Sequence, residues 1–166
     1  MPVTPFHFGP GAAFKAVIPN LFSLTAYMGA NVLIDIEPLY YMLTNQYPWH
    51  RFFHSYVGAG VITLAAILIM LLVGRMLKTF PIIPAWAQKE LSLLPIVIGA
   101  TLGASSHIVL DSIMHADIRP FAPFSDGNPL FRIITLTELH GFCLMAGGLG
   151  VLVWLVTNAY RRMSRP

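Results

Sequence analysis

Residues 91–115 read LSLLPIVIGATLGASSHIVLDSIMH. The stretch carries no charge before its last turns, and at a rise of about 1.5 Å per residue it is long enough to cross a bilayer core of about 30 Å as one α-helix. Its final segment, SHIVLDSIMH at 106–115, sets His107, Asp111 and His115 at successive spacings of four, so a single helical face carries all three. Two expectations follow: a membrane-spanning helix, and a polar site at one of its ends.

Working outward, residues 54–77 and 134–159 are also apolar and long enough to span. The region before them is interrupted. Residues 8–18 are short and contain Lys15, and Pro19 and Asn20 precede a second apolar segment, 21–44. This pair reads as a hairpin, with residues 8–18 lying on the surface or dipping into the membrane and turning at Pro19; the second geometry is preferred because it returns Asp35 to the level of His7. The expected fold is an all-α integral membrane bundle of four spans plus this short, re-entrant N-terminal helix, forming a single domain over residues 1–166. Residues 116–133, rich in proline and phenylalanine, read as a cap over one face. The first residues, MPVTPFHFGPG, lack the basic segment, apolar run and small-residue site of a cleavable signal, so the N-terminus is expected to persist in the mature chain.

Composition agrees. Of 166 residues 56% are hydrophobic and only 10% charged, against about 25% charged in soluble domains, and the mean hydropathy is +0.69. Cys143 is alone and the basic residues form no stripe, which argues against a disulfide scaffold and a nucleic-acid partner. Lys15, Arg75, Lys78, Lys89, Arg161, Arg162 and Arg165 fall on one side of the bundle, and Arg51, Arg119 and Arg132 on the other. The richer side is expected to be cytoplasmic, putting the C-terminus there and the polar residues outside a bacterial inner membrane. Gly58 and Gly60, Gly99 and Gly103, and Gly147, Gly148 and Gly150 are positions where helices can approach closely.

The chemistry-bearing residues gather on that outer face. HRFFHS at 50–55 sets His50 and His54 four apart, and LIDIEPLYY at 33–41 carries Asp35 and Glu37 just before Pro38. Alternate helical positions diverge by about 200°, so Asp35 is favoured over Glu37 as a ligand unless Pro38 ends the helix there. A lone membrane histidine is more often a packing or interfacial residue. Several ionisable groups on one face of a membrane domain need a common reason, because each costs free energy at bilayer depth. Glu138 and His140 fit partners of ligand imidazoles or an interfacial cap. Asp126, Gly127 and Asn128 read as a turn, and Tyr40, Tyr41, Tyr47 and Trp49 as an aromatic belt rather than a substrate cage. A mixed imidazole and carboxylate set without thiolate favours zinc, manganese or iron over copper(I) or an iron–sulfur cluster. The surplus of donors points to two ions or to a full set of supporting partners.

TPFHFGPG, LIDIEPLYY, HRFFHS and SHIVLDSIMH, in that order, resemble the pattern of the membrane-bound metal-dependent hydrolases, also described as LexA-binding inner-membrane-associated hydrolases. The resemblance covers residues 4–115 and implies a metal site of His7, Asp35, His50, His54, His107 and Asp111. Phe53 stands where the family pattern has threonine, and Glu37 is followed by proline. A more distant similarity, to zinc-dependent phospholipases C, points to phosphoesters. The expected function is hydrolysis by water activated on a divalent transition metal, zinc or manganese first, acting on lipid or lipid-linked phosphoesters at the bilayer. His115 or Glu37 would carry a proton and Arg119 would hold an anionic group. The alternatives are a haem-binding electron-transfer bundle and a non-catalytic metal-binding subunit or assembly factor.

Overall fold

A computed structural model describes residues 5–77 and 84–164. Lys78 and Arg165, counted above on the basic side, lie outside the described residues, as does the side chain of Arg162. Six α-helices follow in order: α1 (Phe8–Val17), α2 (Leu24–Leu43), α3 (Tyr56–Leu77), α4 (Ala85–Glu90), α5 (Leu93–Met114) and α6 (Leu136–Met163). Single 3-10 turns, Pro5–His7 and Phe52–His54, lead into α1 and α3. No strand occurs among the described residues.

By length and composition α3, α5 and α6 are each able to cross a membrane, close to the segments 54–77, 91–115 and 134–159 expected from the sequence. The fourth expected crossing is α2, which has 20 residues and is therefore about 30 Å long. Asn31, Asp35 and Glu37 interrupt its apolar pattern, and the first two are buried inside the bundle. Pro38 does not end this helix. Among the described residues no carboxylate lies farther toward the C-terminal end of α2.

The core is made of small and β-branched residues on α2, α3 and α5, among them Ala26, Ala30, Ile34, Ala59, Ile62, Ala100, Ala104 and Ile108. Small side chains let α2 and α5 approach until a methyl at Gly99 or Gly103 would overlap the backbone of Ser23 or Tyr27. The residues facing away are large and apolar: Leu64, Leu68 and Leu72 on α3, and Leu144, Leu149 and Leu152 on α6, are all exposed. A bilayer solvates such a surface as well as a protein core would.

The N-terminal hairpin forms as expected. α1 runs down from His7, residues 18–23 turn, and α2 returns. Three bonds from the Lys15 ammonium hold the turn, to Pro19 O and Phe22 O at 2.9 Å each and to Glu90 Oε1 at 2.8 Å. Ser23 N donates to Pro95 O, which sets the turn near the first turn of α5. α6 then packs along α1, where Gly9 meets the Cys143 carbonyl and Gly150 meets the Ala12 backbone. The cap, residues 115–135, is irregular; Asn128 Nδ2 ties it to α5 by donating to Ser112 O (2.9 Å) and His115 O (3.2 Å), and Ile118 is buried beneath it.

The α1–α6 contact gives a direct test. A Cβ at Gly150 would lie 2.5 Å from the Ala12 carbonyl carbon, whereas one at Gly148 meets nothing within 4 Å. Gly150→Leu is expected to destabilise the detergent-solubilised protein by about 1–3 kcal/mol, and Gly148→Leu to leave its thermal midpoint unchanged, as read by circular dichroism melting.

Candidate metal centre

Four elements converge at one end of the bundle. α5 supplies His107 and Asp111 one turn apart, α2 supplies Asp35, the turn before α3 supplies His54, and the turn before α1 supplies His7. His107 Nε2 lies 3.4 Å from Asp35 Oδ1 and 3.3 Å from Asp111 Oδ2. His54 Nε2 lies 4.0 Å and 3.6 Å from the same two oxygens. One ligand atom from each of Asp35, His54, His107 and Asp111 falls within 4.8 Å of all the others, and all four residues are buried. His50, Asp111 and His115 form a second such group, sharing Asp111 with the first.

The other ring nitrogens show how this arrangement is held. Asn31 Nδ2 donates to Tyr27 O at 2.8 Å, which turns its Oδ1 toward His107 Nδ1, 3.0 Å away. Nδ1 of His107 must therefore be the donor, and in the neutral ring Nε2 is left as a lone pair facing two carboxylates. His54 Nδ1 lies 3.5 Å from Glu37 Oε2, an oxygen that also accepts from the backbone N–H of Arg51 (3.1 Å) and Phe53 (3.0 Å). His50 Nδ1 is 3.0 Å from both carboxylate oxygens of Asp117. A carboxylate or carbonyl behind His50, His54 and His107 is the arrangement that orients metal-binding histidines, whereas His7 Nδ1 is buried without a partner.

In front, the polar atoms are orphaned. His7 Nε2, His54 Nε2, His107 Nε2 and Asp111 Oδ1 are buried and have no hydrogen-bond partner. His7 Nε2 does approach Asp111 Oδ1 to 3.0 Å, but off the direction that a hydrogen bond requires. Buried polar atoms are nearly always paired, so ring nitrogens converging on carboxylate oxygens call for a positive charge among them, carried by a proton or by a metal ion. Two carboxylates and two neutral imidazoles would neutralise one divalent ion in the ligand number usual for zinc. The residues present fit a metal.

Just outside the spans, burial pushes His50 down to about 4, helped by His54 and His115 and opposed by Asp117. Burial also lowers His115. Against its own burial, Asp117 is held below the usual carboxylate range by its contact with the His50 ring and backbone N–H. His50 is therefore neutral near pH 7, the state in which imidazole ligates.

Other residues singled out in the sequence lie apart. Arg119 is exposed on the cap and pairs with Asp126 at 2.9 Å; Asp126 sits in an irregular stretch, not in the expected turn. Glu138 caps α6 in a reciprocal box with Thr135, and His140 stacks on Phe6 at 4.3 Å, so neither supports an imidazole of the cluster. Tyr40, Tyr47 and Trp49 are exposed, as a belt would be. Neither Asn31 nor Asp117 stands out in the sequence; the spacing of Asp117, two residues after His115, is the one available signal.

Residues 3–164 match the YdjM inner membrane protein family. The chain belongs to that family. With its apolar helices this makes it an integral membrane protein. No curated protein and no solved structure matches it.

If this YdjM-family cluster holds a metal, the residues behind it control affinity. Asn31→Ala, which leaves His107 Nδ1 without its acceptor, is expected to weaken zinc binding by about 10–100-fold with helix content unchanged. Competition against a chromophoric chelator measures it.

Proposed function

We propose that the chain is a metal-dependent hydrolase acting at the membrane surface on lipid or lipid-linked phosphoesters. The observation that carries this reading is the set of orphaned Nε2 atoms facing Asp35 and Asp111. Interleaved carboxylates suit a divalent ion, zinc or manganese, better than the axial pair of a haem. Such an ion, when bound, supplies a water of lowered pKa and polarises the scissile group.

The chain's own residues have separable tasks. Asp35, His54, His107 and Asp111 form the better enclosed ligand set, and Glu37 and Asn31 fix the ring orientations of His54 and His107. Glu37 Oε2 already accepts from two backbone N–H groups, which leaves His115 as the better proton carrier. His115 is only half-buried and stands beside His50, with ring centroids 4.4 Å apart. A second ion would use His50, His115 and Asp111 instead. Arg119, exposed on the cap, can release Asp126 to hold an anionic group, since an exposed ion pair is worth only about 0–1 kcal/mol. Phe121 and Phe124, exposed on the cap, give an acyl chain an apolar surface.

Asp111→Asn keeps the size and removes the charge. It is expected to fold yet lose its metal, measured by inductively coupled plasma mass spectrometry, and with it hydrolysis of a lipid phosphoester panel. Asp126→Asn should change neither, and His115→Asn should keep the ion held by Asp35, His54, His107 and Asp111 and slow turnover by about 10²–10⁴-fold. Full metal content in Asp111→Asn would sink the ligand assignment.

The excess of Lys and Arg at the opposite end supports a periplasmic site and a cytoplasmic C-terminus. A cysteine introduced at exposed Ser125 is expected to react with a membrane-impermeant maleimide in spheroplasts; labelling only in inverted vesicles would reverse the topology.

A further inference from the structure

At the opposite end of the bundle lies a cavity of about 620 Å³ between α1, α6 and the α4 segment. It exists because α1 stops at Val17 and the chain turns away into α2, while α6 continues to Met163. The last turns of α6 are left without a helical neighbour along that side.

Its lining is divided by chemistry. Lys15, Asn20, Lys89, Asn158 and Arg161 bring cations and amides, with Glu90 the one acid among the lining residues, whereas Leu24, Val151 and Trp154 are apolar. Val151 precedes Arg161 by ten positions on α6, so the apolar wall runs about 15 Å from the charged rim toward the middle of the membrane. Arg161 lies near the C-terminal end of α6 and Lys89 shortly before α5, and both line this cavity.

The charge on the rim is not balanced. Lys15 spends its three N–H bonds on Pro19 O, Phe22 O and Glu90, so that pair is closed and structural. Lys89 and Arg161 are exposed, and neither side chain has a carboxylate partner among the described residues. Two cations without a carboxylate partner among the described residues, beside an apolar groove that leads inward, match one class of molecule in both charge and shape.

We infer that this cavity is a binding site for an anionic phospholipid, with its phosphate between Lys89 and Arg161 and an acyl chain along Val151 and Trp154. It is separate from the proposed metal centre, and it stands whether or not that centre is catalytic.

Trp154 provides the readout. The full chain in dodecylmaltoside micelles is titrated with phosphatidylglycerol or phosphatidylcholine carrying brominated acyl chains, and the emission lost in Trp154→Phe defines the Trp154 share. Each basic side chain near an anionic headgroup contributes about a fivefold factor. Phosphatidylglycerol is therefore expected to quench that share at a mole fraction about 25-fold lower than phosphatidylcholine. Lys89→Gln with Arg161→Gln, both at exposed positions, should remove the preference, and Arg132→Gln, in the cap at the far end, should keep it. Equal quenching by the two lipids, or an undiminished preference in the double variant, would overturn the inference. Relief of quenching by millimolar inorganic phosphate would also overturn it, by showing that the rim takes a free anion.

Discussion

Two carboxylates buried at one end of an apolar bundle set the terms for the rest of this structure. Asp35 and Asp111 are 6% and 3% exposed, and an ionised carboxylate removed from water costs several kcal/mol unless partners compensate it. His7, His54 and His107 surround the pair. Two of these rings are not free to compensate as neutral donors, because Asn31 and Glu37 hold the Nδ1 atoms of His107 and His54 from behind. Aiming the rings and neutralising the carboxylates are competing demands on the same protons, and the chain satisfies the first.

That aim requires elements distant in sequence to meet within a few ångströms, and backbone proximity is how the fold achieves it. α2 and α5 touch through Gly99 and Gly103, and α1 and α6 through Gly9 and Gly150. Larger residues at the first pair would separate Asp35 from His107. The N-terminal hairpin has the same consequence, since α1 and α2 must run antiparallel from a common turn for His7 and Asp35 to face Asp111 together. Lys15, bonded across that turn, sets their relative height.

The parts of this arrangement that were legible in the sequence are those written in local periodicity. His107 and Asp111 one turn apart, His50 and His54 at the start of α3, and the three long apolar helices could all be read from spacing and length. The hairpin was legible because Pro19 and Asn20 break an apolar run too short to span alone. The supporting residues were not. Asn31 resembles any small polar residue that helices tolerate at a packed interface, and its role appears only when α5 brings His107 against it. Glu37 is found to accept backbone N–H bonds from a segment that starts 14 residues later. The helix runs on through Pro38, so Asp35 and Glu37 keep the divergent directions of alternate helical positions. His54 lies between them, offering Nε2 toward one carboxylate and Nδ1 toward the other.

The two ends of the bundle handle buried charge in opposite ways, and the contrast bears on what the histidine cluster is for. Lys15 and Glu90 are partly buried at 23% and 11% side-chain exposure. The ammonium makes three bonds, and Glu90 Oε2 is also within 3.4 Å of Thr25 N and Oγ1. That pair is complete as it stands, as expected of a group selected to pin a turn. The histidine cluster is more deeply buried, where an unmet bond costs more, yet it leaves His7, His54, His107 and Asp111 with orphaned atoms aimed at one another. A purely structural knot at that depth would close its own hydrogen bonds, as the Lys15 site does. Leaving them open while ordering the atoms behind them makes sense if the open positions belong to something that the chain binds.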